Sequence, residues 1–362
     1  MKILDRYIMK NLIITFLFFT ISSQSISIIV DISQRMHRLE QNKGTIKEAL
    51  FLYYPFWSIW LANTFSPISV FLSVIFFTSK LTKNLEIDAI MTSGISFKRF
   101  TYPYIISSMI IGTMTLLINY YLLPIANKKK NEFHYQYLLS SRYKNKYENN
   151  QYIIDQISKN EYIFLQKFFK KKNIGIEYIY EKFLKKKLTY IIKSKYIFWN
   201  HKSKTYTLYD YYETRIQKKR DVLTHGKYKI VKIPLSPNEL LPEEYIAETM
   251  NIHDLKNFID RKTNDKNINI YLNEFYQRTS LPFSTFIFTI LGLSISSIKK
   301  LNIHYPIIIG IIFSFVYIFL SEVSKILSTK YGLSSLISIW LPNIFFGFIA
   351  MLFFCYRNFI KD

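Results

Sequence analysis

The sequence predicts an α-helical polytopic membrane protein in which six transmembrane helices form two groups of three, with an all-β domain inserted between the groups. The main observation is the placement of charge. Six stretches of at least 20 residues contain no Asp, Glu, Lys or Arg, and about 20 apolar residues allow a helix to cross a bilayer. A long polar segment separates the third stretch from the fourth. The stretches are residues 11–30, 49–79, 100–127, 279–298, 301–321 and 331–356.

The first apolar stretch is predicted to be retained as a helix. It is longer than the apolar core of a signal peptide, and no small-x-small cleavage site follows it. Cys355, the one cysteine of the chain, lies in the sixth stretch. A single cysteine excludes an internal disulfide and a Cys-based zinc cluster. We interpret Cys355 as a small buried apolar residue.

The distribution of Lys and Arg near the helix ends predicts that both termini lie in the cytoplasm, because cytoplasmic loops are enriched in these residues. Eleven basic residues fall on the predicted inner side and six on the outer side. With three spans before it, the polar segment then lies outside the cytoplasm. The inner set is Lys2, Arg6, Lys10, Lys80, Lys83, Lys98, Arg99, Lys299, Lys300, Arg357 and Lys361, and the outer set is Arg35, Arg38, Lys43, Lys47, Lys325 and Lys330.

Short runs rich in Ile, Tyr, Phe and Thr indicate β-strands in the polar segment. Ile174, Ile176 and Tyr178 occupy alternate positions, as in a strand with one buried face. Several such strands separated by polar turns are typical of a sandwich, a jelly roll or a barrel. The runs are residues 162–165, 174–180, 188–193, 196–199, 205–209 and 227–233.

A short amphipathic helix is predicted after these strands, at residues 252–261, leading into the fourth span. Leu255, Phe258 and Ile259 have the i, i+3, i+4 spacing of one apolar helix face. The chain is therefore divided into three parts. Residues 1–126 hold the first three spans, 127–251 the β-domain, and 252–362 the connecting helix and the last three spans.

The loop between the second and third spans, residues 80–99, is predicted to contain another amphipathic helix at 82–93. Leu85, Ala89 and Ile90 form its apolar side. Gly94 suits the position just after a helix end, where positive φ is common. Such a helix would lie along the cytoplasmic face of the membrane, either as a connector without a partner or as a docking element.

Short motifs of common catalytic sites are absent from the sequence. It has no G-x-x-x-x-G-K-[ST] phosphate-binding loop, so the chain is not a P-loop ATPase by itself, and no G-x-S-x-G or H-E-x-x-H motif. Its six histidines are scattered, with no two of them at i, i+4 spacing. We expect neither a cofactor nor a metal site.

The formal net charge of +23 raises the question of nucleic-acid binding, since basic runs among aromatic residues can bind phosphates and stack bases. We expect none, because the whole chain is rich in Ile, Lys, Asn, Tyr and Phe, as a biased genome composition produces. An anionic lipid or glycolipid headgroup fits the predicted location of the β-domain better. The basic runs are residues 128–130, 170–172, 185–187 and 218–220.

Five short motifs occur in order along the predicted spans. They are L-D-R-Y-I at 4–8, Pro55 and Pro67 in the second span, L-E-I-D-A-I-M-T-S-G-I-S at 85–96, Y-Q-R-T-S-L-P at 276–282 and I-W-L-P-N at 339–343. Together with the topology they resemble the LptF/LptG family of lipopolysaccharide-export permeases over nearly the whole chain. The sequence departs from the family pattern at Asn84-Leu85, where a serine usually precedes the glutamate, and at Tyr276, where a histidine is common.

The resemblance implies one permease of an ABC transporter, paired with a second LptF/LptG-type permease in a heterodimer or homodimer on a cytoplasmic ABC ATPase dimer. Lipopolysaccharide, or a related glycolipid, would enter laterally from the outer leaflet of the inner membrane. It would pass along periplasmic β-jelly rolls, including that of a single-span periplasmic protein, toward the outer membrane. The resemblance therefore implies a jelly-roll-like β-domain and a transporter subunit rather than an enzyme, with ATP hydrolysed by the partner.

The resemblance also implies which residues contact the ATPase. Glu86, Ala89, Ile90, Gly94 and Ser96 match the coupling segment of the family. The carboxylate of Glu86 would accept charge-assisted hydrogen bonds from a basic groove of the ATPase. ATP-driven closure would then move the attached second and third spans.

Four further residues are candidates for contact with the lipid. Arg35 and Arg38, just past the first span, stand where the phosphates of lipid A would arrive, and arginine suits bidentate phosphate contact. Their alternative role is ordinary anchoring at the membrane interface. Glu322 and Lys325, at the outer end of the fifth span, are gate candidates that can equally pair with each other at i, i+3.

Two other classes of function are alternatives to transport. A polytopic enzyme that modifies a lipid headgroup would need paired acids or a His/Asp group at one membrane face, and it would turn over lipid without an ATPase. A structural or adhesive membrane protein that uses its β-domain for docking would tolerate deletion of residues 82–96.

Overall fold

A computed structural model describes residues 3–139, 153–158, 160–169, 172–185, 187–201, 203–217, 220–233, 243–262, 267–298 and 304–359. The chain forms two compact units, a membrane unit (Met1–Tyr137 and Asn269–Asp362) and a sheet unit (Leu138–Ile268). Some of the basic residues used in the sequence analysis lie outside the described residues. They are Lys2, Lys299, Lys300 and Lys361, together with parts of the runs 170–172, 185–187 and 218–220.

In the described part of the chain, six helices are long and apolar enough to cross a membrane. A helix satisfies its own backbone hydrogen bonds, which lipid cannot do, so these uncharged stretches fold as helices. The prediction of a six-span helical protein with an inserted β-domain is confirmed. The helices, called spans 1 to 6, are Ile3–Gln41, Tyr54–Lys83, Phe97–Leu138, Ile268–Ser296, His304–Tyr331 and Ser335–Phe359.

Span 3 is an α-helix interrupted by two π-helical turns. The α-helical parts are Phe97–Leu117 and Leu123–Phe133, and the π turns are Ile118–Leu122 and His134–Leu138. Each π turn shifts the side chains that follow it around the helix axis. A short helix, Ile46–Leu52, precedes span 2 and begins with a capping box between Thr45 and Glu48.

Two apolar clusters form the core of the membrane unit. The first joins spans 1, 2, 3 and 4 with the loop between spans 2 and 3, and the second joins spans 2, 4, 5 and 6 around Phe288, whose ring centroid lies 4.9 Å from that of Phe71 and 4.8 Å from that of Tyr317. The first consists of Ile8, Leu12, Val70, Val74, Phe77, Leu81, Ile87, Phe97, Phe100, Tyr104, Ile111 and Leu293, and the second of Phe71, Ile75, Phe288, Leu291, Ile295, Tyr317, Phe346 and Ala350.

Cys355 on span 6 is exposed, so its interpretation as a buried residue is wrong. An apolar run in a soluble protein indicates a buried position, whereas in a spanning helix it also indicates a surface that faces lipid. The surrounding sequence therefore does not distinguish the two.

Six antiparallel strands follow one another in one open sheet, in the order β1-β2-β3-β4-β5-β6. Neighbours in sequence are neighbours in the sheet, so the described strands form a meander and not the two-sheet Greek-key order of a complete jelly roll. The predicted runs 188–193 and 196–199 belong to one strand. The strands are β1 Ile153–Ser158, β2 Glu161–Phe169, β3 Ile174–Leu184, β4 Lys187–Asn200, β5 Thr205–Arg215 and β6 Val222–Val231.

A line of positions without a paired partner crosses strands β2 to β6, and the register is the same on both sides of it. One residue in each strand falls between paired residues, and two of these, Glu177 and Asp210, have φ of 52° and 54°. One face of the sheet buries an apolar core that includes Leu165, Trp199 and Leu208. The five residues are Gln166, Glu177, Lys195, Asp210 and Lys227.

Two short helices, Glu243–Thr249 and Ile252–Arg261, end the sheet unit. The second begins at Asn251, whose side-chain oxygen accepts the backbone N–H of Asp254 at 2.8 Å. Its buried residues are Leu255, Phe258 and Ile259, so the predicted amphipathic helix is confirmed in both extent and apolar face.

Candidate functional site

The loop between spans 2 and 3 carries a seven-residue helix, Glu86–Thr92, which we call the loop helix. Leu85 precedes it with φ of 59°, and Gly94 follows it with φ of 86°. Gly94 was predicted at such a position, and Leu85 was not. Thr82 continues span 2, so the helix begins at Glu86 rather than at residue 82.

The inner side of the loop helix packs into the core of the membrane unit through Ile87. This side chain is 1 % exposed and belongs to the first apolar cluster, with Ile90 packed partly against the same cluster. Leu85 and Ala89 were expected on the apolar side but are exposed. The turn at Leu85, with φ of 59°, explains the difference, because it takes Leu85 out of the helix and changes the direction in which the helix after it runs.

Glu86 stands at the first turn of the loop helix and is partly exposed. Its Oε1 accepts a hydrogen bond from Asn84 Nδ2 at 3.1 Å, and its Oε2 accepts one from the Tyr7 hydroxyl at 3.3 Å. An ionised carboxylate offers about four acceptor positions, so these two donors leave room for donors from another protein.

The other residues of the expected coupling segment shape its junction with span 3. Ser96 is the N-cap of span 3, where its Oγ accepts the backbone N–H of Arg99 at 3.3 Å. Gly94 supplies the positive φ between the two helices. Glu86 and Ala89 are thus presented outward, whereas Ile90, Gly94 and Ser96 hold the segment in place.

Asp5 and Tyr7 of span 1 also belong to this region, and the sequence analysis assigned no role to them. Arg99 Nη2 lies 2.7 Å from Asp5 Oδ2, and the Asp5 side chain is 2 % exposed. The signal that would have found them is the motif at residues 4–8, which places an acid and a tyrosine at the start of an apolar helix.

Arg35, at the opposite end of span 1, lies in a network of polar side chains. Its Nε is 2.8 Å from Asp31 Oδ1, and its Nη1 is 3.1 Å from His134 Nδ1 and 3.4 Å from the Tyr53 hydroxyl. Because a guanidinium only donates hydrogen bonds, His134 Nδ1 accepts here. The Tyr54 hydroxyl completes the group by donating to Asp31 Oδ2 at 3.1 Å.

The other lipid-contact candidates lie toward this same end of the spans. Arg38 is exposed, one turn beyond Arg35. Glu322 and Lys325 pair with each other, with 2.9 Å between Oε1 and Nζ, which is the arrangement named above as the alternative to a gate. Among the described residues, no hydrogen bond or ion pair joins this pair to Arg35.

The motif at residues 276–282 connects span 4 to span 3. Pro282 has no N–H, so the carbonyl of Arg278, four residues earlier, lacks its usual helical donor. Asn119, in the first π turn of span 3, donates its Nδ2 to that carbonyl at 3.2 Å. Asn63 of span 2 donates to Asn119 Oδ1 at 2.7 Å. The side chain of Arg278 is 1 % exposed and pairs with Glu274 at 3.1 Å.

The motif at residues 339–343 connects spans 4, 5 and 6 in a similar way. Asn343 Nδ2 donates to the carbonyl of Ser280 at 2.8 Å, and Asn343 Oδ1 accepts from the Tyr317 hydroxyl at 3.0 Å. All three residues are buried. Both motifs therefore hold helices together inside the membrane unit and do not present groups for chemistry.

In the described ranges of the chain, no three side chains of His, Cys, Asp or Glu come together as a set that could hold a metal ion. The polar groups of the membrane unit are instead used between helices and at the two ends of span 1. The arrangement offers an anchored surface helix with an acid at its start, and basic groups at the opposite end of the spans.

Comparison with known proteins adds one match. A family described as the lipopolysaccharide export system permease LptF/LptG matches residues 6–356, nearly the whole chain. The corresponding search of individual curated proteins gives no match. The matched range contains both groups of spans and the sheet.

Proposed function

Since the chain belongs to the LptF/LptG family of lipopolysaccharide export system permeases, we propose that it is one membrane subunit of an ATP-driven exporter. The exporter takes lipopolysaccharide, or a related glycolipid, out of the inner membrane and passes it to a periplasmic bridge. A second permease of the same type completes the membrane part. A separate cytoplasmic ATPase dimer supplies the energy, and a single-span periplasmic jelly-roll protein continues the bridge.

The proposed orientation places the loop helix and both termini in the cytoplasm and the sheet unit in the periplasm. Basic residues at the loop-helix end of the spans support it, because such residues favour the cytoplasmic side. This end carries Arg6, Lys10, Lys80, Lys83, Lys98, Arg99 and Arg357 among the described residues.

The observation that carries the proposal is the position of Glu86 on an anchored helix. Its carboxylate is partly exposed while Ile87, the next residue, is fixed in the core that joins spans 1, 2 and 3. A basic groove on the ATPase would bind the carboxylate through charge-assisted hydrogen bonds. A displacement of the groove would then reach the spans, because close-packed cores transmit displacement.

The test is co-purification of the ATPase with the full permease complex. We expect Glu86→Gln to keep membrane insertion and to lose most of the bound ATPase and of the glycolipid transport. Asp88→Asn is the matched control, since it removes the same charge two residues along the same helix. Unchanged co-purification and transport in Glu86→Gln would remove the assignment, and equal loss in both variants would indicate net charge rather than the position of Glu86.

At the opposite end of the spans, we propose that Arg38 contacts lipid phosphates and that Arg35 keeps the end of span 1 in place through Asp31 and His134. The exposure of Arg38 and the partners of Arg35 support this division. Arg38→Glu should weaken photocrosslinking of glycolipid to span 1, whereas Lys47→Glu, an exposed charge in the following short helix, should not. Equal labelling of both variants and the wild type would make Arg38 an interfacial anchor.

A further inference from the structure

We propose that Asp5 and Tyr7 are positioning residues that fasten the start of span 1 to the loop helix and to span 3. Movement of the loop helix then drives span 1 together with spans 2 and 3. The inference rests on the proposed function, because it takes Glu86 as the point where the ATPase acts. The added point is that span 1 moves with the loop helix. The coupling segment lies between spans 2 and 3, so by itself it would move only those two spans.

The first contact is the ion pair between Asp5 and Arg99. Arg99 Nη2 is 2.7 Å from Asp5 Oδ2, and the acid is 2 % exposed although its partner is more than one-third exposed. Burial of a carboxylate is costly unless a cation compensates for it. The pair therefore fixes the start of span 1 against the first turn of span 3, where Ser96 caps the helix.

The second contact joins Tyr7 to the functional acid itself. The Tyr7 hydroxyl donates to Glu86 Oε2 at 3.3 Å, across 79 positions in the sequence, and the Tyr7 ring centroid lies 6.4 Å from that of Phe77 on span 2. One oxygen of Glu86 thus accepts from span 1 and the other from Asn84. A cation from the ATPase would bind a carboxylate that span 1 already holds.

Apolar packing supports the two polar contacts. Ile8 and Leu12, the next buried residues of span 1, belong to the same cluster as Ile87 of the loop helix. The start of span 1, the loop helix and the start of span 3 are therefore packed together as one group. Displacing one member without the others would expose apolar surface and separate the buried Asp5 carboxylate from the Arg99 guanidinium.

Beyond Leu12 the character of span 1 changes. No side chain from residue 13 to residue 30 is buried, and the next buried residue is Asp31 in the polar network of Arg35. The helix continues without interruption for 39 residues, which is about 58 Å at 1.5 Å per residue. Span 1 is thus buried at its two ends and only partly covered between them, where Phe16 packs against the first apolar cluster and the Phe19 ring centroid lies 5.8 Å from that of Phe76 on span 2.

The test uses the complete exporter in proteoliposomes, with ATP hydrolysis and glycolipid delivered per ATP measured separately. Tyr7→Phe keeps the ring against Phe77 and removes only the hydroxyl. We expect normal ATPase association and hydrolysis within about twofold of wild type, with about three- to tenfold less lipid per ATP, the effect of one ordinary hydrogen bond. Tyr356→Phe, an exposed tyrosine at the same end of the spans, is the matched control and should transport normally.

Asp5→Asn, Arg99→Gln and the double variant provide a second test that does not depend on Tyr7. If the two residues act as a pair, the double variant should deliver no less lipid per ATP than the worse single variant. Multiplied losses in the double variant would contradict the pairing. Wild-type lipid per ATP in Tyr7→Phe, or loss of ATPase association in that variant, would overturn the positioning role.

Glu86→Gln in the same assay separates the two proposals. If it loses the ATPase while Tyr7→Phe transports as wild type does, the proposed function stands and the role of span 1 fails. If Glu86→Gln retains the ATPase and full transport, the proposed function itself loses its coupling residue.

Discussion

Asn119 compensates for a proline inside the membrane unit. In lipid, a backbone carbonyl without a donor has no water to replace it, and each such group costs several kcal/mol. Pro282 creates that situation at Arg278, and the amide of Asn119 relieves it at 3.2 Å. Pro282 thus removes the helical donor of the Arg278 carbonyl, and Asn119 of span 3 supplies a donor in its place.

We predict that Asn119→Ala lowers the free energy of unfolding by about 1–3 kcal/mol, the cost of leaving buried groups without a partner. In a Pro282→Ala background the helix supplies its own N–H to Arg278, so the same change should cost less. The measurement is the unfolding of detergent-solubilised protein for both single variants and the double variant. Equal costs of Asn119→Ala in the two backgrounds would contradict this account.

Glu213 on strand β5 makes the sheet unit sensitive to acid. A hydrogen bond from Lys229 holds the pKa of Glu213 below its usual value near 4.5; burial raises it, and hydrogen bonds from Tyr190 and Arg215 lower it further. A carboxyl with a lowered pKa stabilises the folded state above its unfolded pKa, and this contribution is lost as the pH falls through the folded pKa.

We therefore predict that the wild-type sheet loses thermal stability as the pH falls below the usual carboxyl pKa near 4.5, whereas Glu213→Gln is less stable at neutral pH and loses less over the same fall in pH. The fluorescence of Trp199, which is buried in the sheet core, reports the transition. Parallel stability curves for the two proteins would contradict the role of Glu213.

At the scale of elements, the loop helix shows which features a sequence can indicate. Gly94 was predicted at a helix end because glycine tolerates positive φ, and the observed φ is 86°. Leu85 has φ of 59° at the other end, and leucine gives no signal for that conformation. Because this turn was not predicted, the helix was expected to start at residue 82, whereas it starts at Glu86. Leu85 was expected to be buried, whereas the buried side chain is Ile87.

Opposite effects are predicted for substitutions at these two turns. Gly94→Ala should destabilise the protein by about 1 kcal/mol, because a Cβ at positive φ is strained. Leu85→Gly should be neutral or stabilising, since it relieves that strain at an exposed position. Thermal unfolding of the two variants beside the wild type checks this, and a stabilising Gly94→Ala would refute it.

The spans and the strands differed in how well the sequence indicated them. Bilayer thickness fixes the length of a spanning helix, so the six uncharged runs locate six helices. No comparable external dimension fixes the length of a β-strand. The runs 188–193 and 196–199 are one strand because the pairing resumes in the same register on both sides of Lys195. The meander order of the sheet comes from pairings between strands, which alternation within one strand does not encode.

At the scale of the whole molecule, the sequence indicated the candidate residue Glu86 but not the contacts between helices that surround it. Glu86 was identified from a motif and stands on an exposed helix start. Its link to Tyr7 joins residues 79 positions apart, and the Asp5–Arg99 pair joins residues 94 apart. Such contacts depend on how spans 1, 2 and 3 pack, and the charge-free runs that define the spans contain no information about which faces meet.

The central claim is that the loop helix and the sheet unit lie on opposite sides of the membrane, with the loop helix facing the ATPase. The most direct test is single-cysteine labelling of intact cells with a membrane-impermeant reagent, in a Cys355→Ser background. Lys98→Cys and Lys195→Cys place reporters at two exposed positions, beside the loop helix and on the sheet. The account predicts that Lys195→Cys reacts once the outer membrane is opened, and that Lys98→Cys reacts only after the inner membrane is permeabilised. Reaction of both positions from the same side would contradict it.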